Sequence, residues 1–185
     1  MALIKARSRG INLADNFAFT GTITGAGGNT PSFLAYLTAN QTIPNNSYTN
    51  INLDGEYYDT GSCYNNTSGT VTLNGVSVPS YSFAPNVAGK YFIGAKGRND
   101  TSTDGTGTII RIEKNGNSVS QVRDTLDNAE GLFVGTIVDL DGTDDYVRMV
   151  QYQNSGSSTV ANGASTFAND DGTISHMFGF LIGGA

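Results

Sequence analysis

The chain has 185 residues, of which 38% are hydrophobic and only 14% are charged, and it contains 24 glycines. It is long enough for one domain with a hydrophobic core, and it is too rich in aromatic residues for a disordered chain. The net charge of −6 argues against nucleic-acid binding. No apolar run approaches the roughly 20 residues of a membrane span. A single cysteine excludes an intrachain disulfide bond.

Residues 1–30 are predicted to form an extended arm that ends in the flexible joint GAGG at residues 25–28. The arm offers basic and aromatic side chains for docking on a partner: Lys5, Arg7, Arg9, Phe17 and Phe19. A disordered tail is the alternative, although aromatic residues are unusual in such tails. No long apolar stretch follows the basic residues, so we expect no secretory signal and synthesis in a cytoplasm.

From Pro31 to residue 185, short apolar runs alternate with turn signals. Nine runs are predicted to be strands: SFLAYLT, TNINL, GTVTL, SYSFAP, KYFIGAKGR, TGTIIRIEKNG, GLFVGTIVDL, DYVRMVQYQN and HMFGFLIG. The turn signals are LDG (53–55), KNG (114–116), LDGTDD (140–145) and NDDG (169–172). The one helical pattern, VRDTLDNAEGL, is short. Many short strands at close spacing predict an all-β sandwich or barrel.

The last predicted strand is apolar on both sides. Met177 and Leu181 alternate with Phe178, Phe180 and Ile182, so the two groups point to opposite faces of a sheet. One apolar face of this strand then packs in the core, and the other must be buried against a second surface. Either the strand is central in the core of its own chain, or its second face meets another subunit.

The residues for catalysis or zinc binding are scarce. The lone histidine, His176, lies in the last strand, where a structural role is expected, and zinc would need three or four ligands. Cys63 has no histidine in its segment and is interpreted as a small apolar residue. A polysaccharide-cleaving enzyme would need two carboxylates across a cleft, and no pattern singles out such a pair. We therefore expect a protein that is not an enzyme.

Six segments, in family order, resemble the complement C1q-like and tumour-necrosis-factor-like jelly roll. They are SFLAYLTANQTI, YYDTGSCYNNTSG, SFAPNVAGKYFIGAKG, IIRIEKNGN, DDYVRMVQYQNSG and MFGFLIG. The resemblance covers residues 33–183 and implies an antiparallel jelly-roll sandwich that assembles as a homotrimer. VTLNGVSVPS departs from the family pattern as an insertion, and DGTDD departs in its turn. The interface that the resemblance implies comprises aromatic and aliphatic residues of the first and last strands: Phe33, Tyr36, Phe178, Phe180 and Ile182.

A turn rich in carboxylates is the one candidate metal site. Asp139, Asp141, Asp144 and Asp145 crowd the sequence DLDGTDD. Calcium takes six to eight oxygen ligands, and some members of the resembled family bind it near the trimer axis. The spacing does not fit an EF-hand loop, because no closing glutamate follows. A solvated hairpin turn and a calcium site are therefore both open, and no other cofactor is expected.

The arm, MALIKARSRGINLADNFAFTGTITG, is similar to the opening of small virion proteins of tailed bacteriophages. Together the two resemblances imply a virion protein, assembled in the host cytoplasm, whose arm contacts other virion proteins. As a tail-fibre or host-attachment component, its knob would contact a host surface receptor or glycan. A head-decoration trimer is the alternative, and a polysaccharide-cleaving spike is a more distant one. Neither nucleic acid nor membrane insertion is expected.

Overall fold

A computed structural model describes residues 30–98, 107–125, 131–164 and 174–184. These residues form antiparallel β-strands, in chain order: β1 Ser32–Tyr36, β2 Gln41–Ile43, β3 Thr49–Asn50, β4 Gly55–Asp59, β5 Tyr64–Asn65, β6 Val71–Leu73, β7 Val76–Val78, β8 Ser82–Phe83, β9 Gly89–Gly97, β10 Thr108–Lys114, β11 Asn117–Asp124, β12 Leu132–Leu140, β13 Val147–Gln153, β14 Thr159–Ala161 and β15 His176–Gly184. No helix fit to cross a membrane occurs within the described ranges.

The strands build two main sheets. The five-stranded sheet has the order β12-β9-β15-β1-β4, and the six-stranded sheet contains β11-β10-β13-β8-β5 with β3 paired to β13. Two small two-stranded sheets, β14-β2 and β6-β7, complete the pairing. The first and last strands of the described chain lie side by side, because β1 pairs with β15 through Leu34 opposite Phe178. The predicted all-β jelly-roll sandwich is thereby confirmed.

The core lies between the two main sheets and follows from the alternation of apolar side chains. Phe33, Tyr91 and Met177 point inward from the five-stranded sheet, and Ile110 and Met149 point inward from the six-stranded sheet. All five are fully buried. Burial of such side chains contributes roughly 1.5–3 kcal/mol each, which suits a chain with no disulfide bond.

Two Asn-Gly pairs close tight hairpins. Asn74 and Gly75 join β6 to β7, and Asn115 and Gly116 join β10 to β11, with positive φ at all four residues. Positive φ at both central residues is the requirement of the type I′ turn that suits twisted strands. The segment VTLNGVSVPS is thus a hairpin, and its Val76 and Val78 form a small apolar cluster with Ala84, against which Tyr146 packs.

The sandwich has two distinct ends. Ser32 at the start of β1 lies beside Phe180 near the end of β15, so the chain enters and leaves at one end, called here the termini end. The turn after Leu140 also lies there, since Leu140 is opposite Gly89, which pairs with Gly184. At the opposite end, Tyr36 lies beside His176.

The structure differs from the sequence-based prediction in two elements. The helical interpretation of VRDTLDNAEGL was wrong at its start, because β11 continues as a strand to Asp124; residues 126–130 lie outside the described part. Strand β3 is shorter than the predicted TNINL and covers only Thr49–Asn50. The predicted turn at 169–172 also lies outside the described residues. Cys63 is fully buried, as expected for a small apolar side chain.

Candidate functional site

The outer face of the five-stranded sheet is apolar across its centre. The outward side chains of β12, β9, β15 and β1 form a continuous patch, called here the aromatic face: Leu34, Phe92, Phe133, Ile137, Phe178 and Phe180. Ile137 is level with Phe92, and Phe92 is level with Phe180 on the neighbouring strand. One row of the sheet therefore carries three large apolar groups side by side.

The rings of this face contact one another. The Phe92 ring centroid lies 5.6 Å from that of Phe180 and 6.0 Å from that of Phe178. Phe133 stacks on Phe178 at 6.2 Å with an interplanar angle of 18°. Aromatic contacts of this kind hold side chains in place beyond the effect of area alone. The surface is thus ordered before any partner arrives.

Two outward glycines let these rings lie close to the sheet. A Cβ on Gly94 would come within 2.6 Å of the Phe178 ring, and one on Gly135 would come within 3.0 Å of the Phe92 ring. Both distances are too short for a side chain to be added without moving a ring. The glycines therefore help to make the aromatic face flat, which suits contact with a second broad surface.

Two side chains of the aromatic face, and Ile182 beside it, are exposed in the single chain. Phe133 is 51% exposed, Ile137 61% and Ile182 50%. Contiguous exposed apolar patches mark interaction sites, because leaving them in water costs free energy. Since β12 is an edge strand among the described residues, the most exposed of these side chains lie at one margin of the sheet.

Charged and polar groups bound the aromatic face at both ends. At the termini end, the Lys90 ammonium lies 2.6 Å from the Asp139 carboxylate, and both side chains are largely exposed. At the other end, Lys96 lies between Phe133 and His176 in the sheet register. The Nδ1 atom of His176 is 3.0 Å from the backbone oxygen of Ile174. An apolar centre with a polar rim is the usual composition of a protein interface.

Four of the five predicted interface residues lie on this outer surface, and one does not. Tyr36, Phe178, Phe180 and Ile182 point away from the core, as the alternation in β1 and β15 requires. Their role in an interface remains a prediction. Phe33 was wrongly assigned, because it is fully buried between the sheets. Its ring stacks on that of Phe83 with centroids 4.3 Å apart.

Sequence reasoning missed four members of the aromatic face. Leu34 lies on β1 next to Phe33, which had been chosen instead. Phe92, Phe133 and Ile137 come from β9 and β12, whereas only the first and last strands had been considered. The signal was present, since KYFIGAKG and LFVGTIVDL carry apolar residues at both odd and even positions. A strand with two apolar sides needs cover on both faces.

The acidic turn is organised by its own backbone. One oxygen of Asp141 accepts hydrogen bonds from the backbone N–H groups of Thr143 (2.9 Å), Asp144 (3.2 Å) and Asp145 (3.2 Å). The hydrogen bonds from Thr143, above all its N–H, lower the pKa of Asp141 well below its usual range. A hydrogen bond with Asp141, together with its charge, raises the pKa of the neighbouring Asp144.

The Asp145 carboxylate already has partners. It accepts hydrogen bonds from the Asn115 amide (2.7 Å) and from the Asp141 backbone N–H (3.0 Å). The Lys114 ammonium lies 2.7 Å from it and also donates to the backbone oxygen of Asp139. A protein cation thus occupies the centre of the acidic turn, beside an open depression of about 430 Å³.

The structure brings three of the four candidate calcium ligands together. Oxygen atoms of Asp141, Asp144 and Asp145 all lie within 4.8 Å of one another. Asp139 points instead to Lys90 on the aromatic face. Calcium would have to compete with Lys114 for the Asp145 oxygen, and three carboxylates provide fewer than its usual six to eight ligands.

We therefore expect calcium not to stabilise the protein. A ligand that binds only the folded state stabilises it, and the melting temperature rises as the ligand concentration exceeds the dissociation constant. Differential scanning fluorimetry with and without millimolar calcium should give the same transition for the natural chain. Asp141→Asn serves as the control for any effect of ions elsewhere. A clear rise in the natural chain that Asp141→Asn abolishes would establish the calcium site instead.

The five predicted docking residues of the arm, Lys5, Arg7, Arg9, Phe17 and Phe19, lie outside the described residues. The described chain starts at Thr30, and the backbone N–H of Leu181 donates to the oxygen of Pro31. The first described residues, Thr30 and Pro31, therefore lie at the termini end of the sandwich.

Comparison with solved structures identifies this arrangement of strands. The globular domain of a zebrafish complement 1qA protein matches 84% of this chain and all of its own length, with a TM-score of 0.54 and 13% identity. The chain folds as a C1q/TNF-like jelly roll. Murine APRIL covers 82% of this chain and 99% of its own length, with a TM-score of 0.53 and 8% identity.

A third C1q/TNF-like neighbour is the PRD1 vertex protein P5. It matches 84% of this chain and 99% of its own length, with a TM-score of 0.55 and 15% identity. At these identities the likeness concerns the fold alone. No protein-family model and no curated protein matches the sequence.

Proposed function

We propose that this protein is a non-enzymatic, homotrimeric knob on the surface of a phage virion, most simply a tail-fibre or host-attachment component. The observation that carries the proposal is the aromatic face, with Phe133 and Ile137 more than half exposed in the single chain. In the trimer, the aromatic face of each copy contacts the next copy and is removed from water. The far end of the sandwich and the outer face of the six-stranded sheet remain free for a host receptor.

A closed ring of copies is the assembly that fits the shape of this surface. Within the aromatic face, Phe92, Phe178 and Phe180 lie on the central strands of the sheet. Phe133 and Ile137 lie at its edge, on β12. When the edge of one copy meets the face of the next, two different surfaces are in contact. Such contacts form a closed ring if the rotation between copies closes. The threefold number comes from the resemblance to the C1q and TNF jelly rolls.

Two observations support a place on a virion. The arm resembles the opening of small phage virion proteins, and the vertex protein of PRD1 has the same fold. The charge distribution agrees with docking through the arm, since Lys5, Arg7 and Arg9 are 3 of the chain's 10 basic residues. A basic segment attached to an acidic knob is attracted to an acidic surface on a neighbouring virion protein.

A head-decoration trimer is the alternative role on the particle. It is favoured by the lack of a long shaft between the arm and the knob, because residues 31–185 follow the arm directly. Locating the chain in an electron-microscopy map of the whole particle distinguishes the two. Density at the tail tip supports host attachment, and density over the capsid supports decoration.

Deleting residues 2–24 should separate docking from folding. The truncated protein should remain a soluble trimer, because every core residue of the described sandwich lies beyond the deletion. It should be lost from purified particles, as measured by mass spectrometry against the full-length protein. Incorporation of the truncated protein at the normal level would place the docking surface in the jelly roll and contradict this division of labour.

A further inference from the structure

The outer face of the six-stranded sheet carries an unusual share of the basic residues. Leaving out the arm's Lys5, Arg7, Arg9 and Asp15, the knob has 7 basic residues and 15 acidic ones. Three of those seven side chains point outward from β10, β11 and β13, namely Arg111, Arg123 and Arg148, as the register with the inward-facing Ile110 shows.

Glu113 is the one acidic side chain that the register of β10, β11 and β13 turns outward in the described chain. It accepts two hydrogen bonds from Arg148, at 2.9 and 3.0 Å, and lies 3.6 Å from Arg111. Arg123 is exposed and has no acid opposite it in the register, where it faces Ile109. This surface is therefore a positively charged island on an acidic knob, and such an island attracts anions.

An exposed tyrosine covers part of this island. The Arg111 guanidinium lies 3.8 Å from the centroid of the Tyr48 ring. The centroid of the Tyr152 ring lies 4.8 Å from that of Tyr48. Arg111 and Tyr152 both rise from the sheet, yet Tyr48 keeps 47% of its surface exposed. Part of the Tyr48 side chain is therefore open to water. We call Tyr48, Arg111, Arg123, Arg148 and Tyr152 the arginine face.

The support beneath the ring is fixed by hydrogen bonds. The Tyr152 hydroxyl donates to the Asn46 side chain (3.0 Å), and the Asn46 backbone N–H donates to Gln153 (2.8 Å). The Arg111 guanidinium donates twice to Gln121, at 3.1 and 3.2 Å. A side chain held in this way loses little conformational freedom when a ligand packs against it, which favours binding.

We propose that the arginine face binds an acidic saccharide, with its ring packed against the exposed part of Tyr48 and its carboxylate directed to the exposed Arg123. This inference rests on the proposed host-attachment function and names the class of receptor. Guanidinium groups pair well with carboxylates. Arg111, Arg123 and Arg148 outnumber Glu113 on this surface, so its positive charge favours an anionic ligand.

The composition of the arginine face favours a sugar over a protein partner. Among its surroundings on β10, β11 and β3, Tyr48 and Val119 are the large apolar side chains that stand exposed. A stable protein interface needs about 1,000 Å² or more with an apolar centre. A saccharide needs only one aromatic ring and a few planar polar groups.

The test uses the full chain and two matched probes, tetragalacturonate and its fully methyl-esterified form, in isothermal titration calorimetry. We expect binding of the acidic probe that weakens with added salt, and weaker binding of the ester. Tyr48→Ala and Arg123→Ala should each lower the affinity about tenfold, given the usual worth of stacking and charge-assisted contacts. Tyr57→Ala, which replaces a more exposed tyrosine on the other main sheet, should leave the affinity unchanged.

Each other outcome counts against the inference. Absence of binding, or equal binding by the ester or by Tyr48→Ala, would overturn it. If the substitutions instead abolish capture of a purified acidic virion protein, the surface is a protein interface. Trimer formation and incorporation into particles are measured independently of saccharide binding. A failure of this inference can therefore be distinguished from a failure of the proposed function.

Discussion

Phe180→Asp should convert the assembled protein into folded monomers. Phe180 lies on the outer side of β15, in contact with Phe92, so a carboxylate there remains in water in the single chain. In the trimer it would be buried without a partner, at a cost of about 3 kcal/mol or more per contact. That corresponds to roughly a hundredfold loss of affinity at each contact. Light scattering should report the mass of one chain.

The matched control for this substitution is Val119→Asp. Val119 is 41% exposed on β11, in the other main sheet, so its replacement adds the same charge outside the aromatic face. It should leave the mass of the assembly unchanged. Circular dichroism should show strand content for both variants. An unchanged mass for Phe180→Asp would remove the aromatic face from the interface.

Glu113→Ala should cause the largest loss of stability among single charge substitutions in the described chain. The Glu113 carboxylate is buried, and its removal leaves the largely buried guanidinium groups of Arg111 and Arg148 without their counter-charge. Breaking a buried ion pair from one side costs about 3 kcal/mol or more. Urea unfolding at a fixed protein concentration measures the difference, since the stability of an oligomer depends on concentration.

Glu113→Gln separates the charge from the shape. Glutamine keeps the volume and one oxygen that can accept from Arg148, so its loss of stability should be smaller than that of alanine. If Glu113→Ala costs less than about 1 kcal/mol, the pair behaves like an exposed salt bridge. Such a result would mean that water solvates Arg111 and Arg148 in the folded protein, and it would contradict the interpretation of Glu113 as half of a buried ion pair.

Sequence reasoning worked where strands are apolar and alternation is regular. The strands β9, β10, β12, β13 and β15 are long and carry large inward residues such as Tyr91 and Ile110, so their positions were predictable. It failed at β11, whose SVSQVRD pattern is polar because the strand lies at an edge and is largely exposed. Short strands such as β2 and β14 depend on pairing with each other, which a local pattern does not show.

The candidate site was predictable only in part, for a related reason. Alternation in β15 separates Phe178 and Phe180 from the core, but it does not identify which side of β1 faces the same way. Phe33 was misplaced because that choice depends on register with β15, a contact between residues far apart in sequence. The arginine face was not predicted from the sequence, because Tyr48 and Arg111 come into contact only when β3 pairs with β13.

The mass of the natural chain in solution tests the central claim most directly. One chain has a mass of 19.4 kDa. Size-exclusion chromatography with multi-angle light scattering, at micromolar concentration, should give three times that mass, because the aromatic face is then removed from water in all copies. A uniform species with the mass of a single chain would contradict the trimer, and with it the role assigned to the aromatic face.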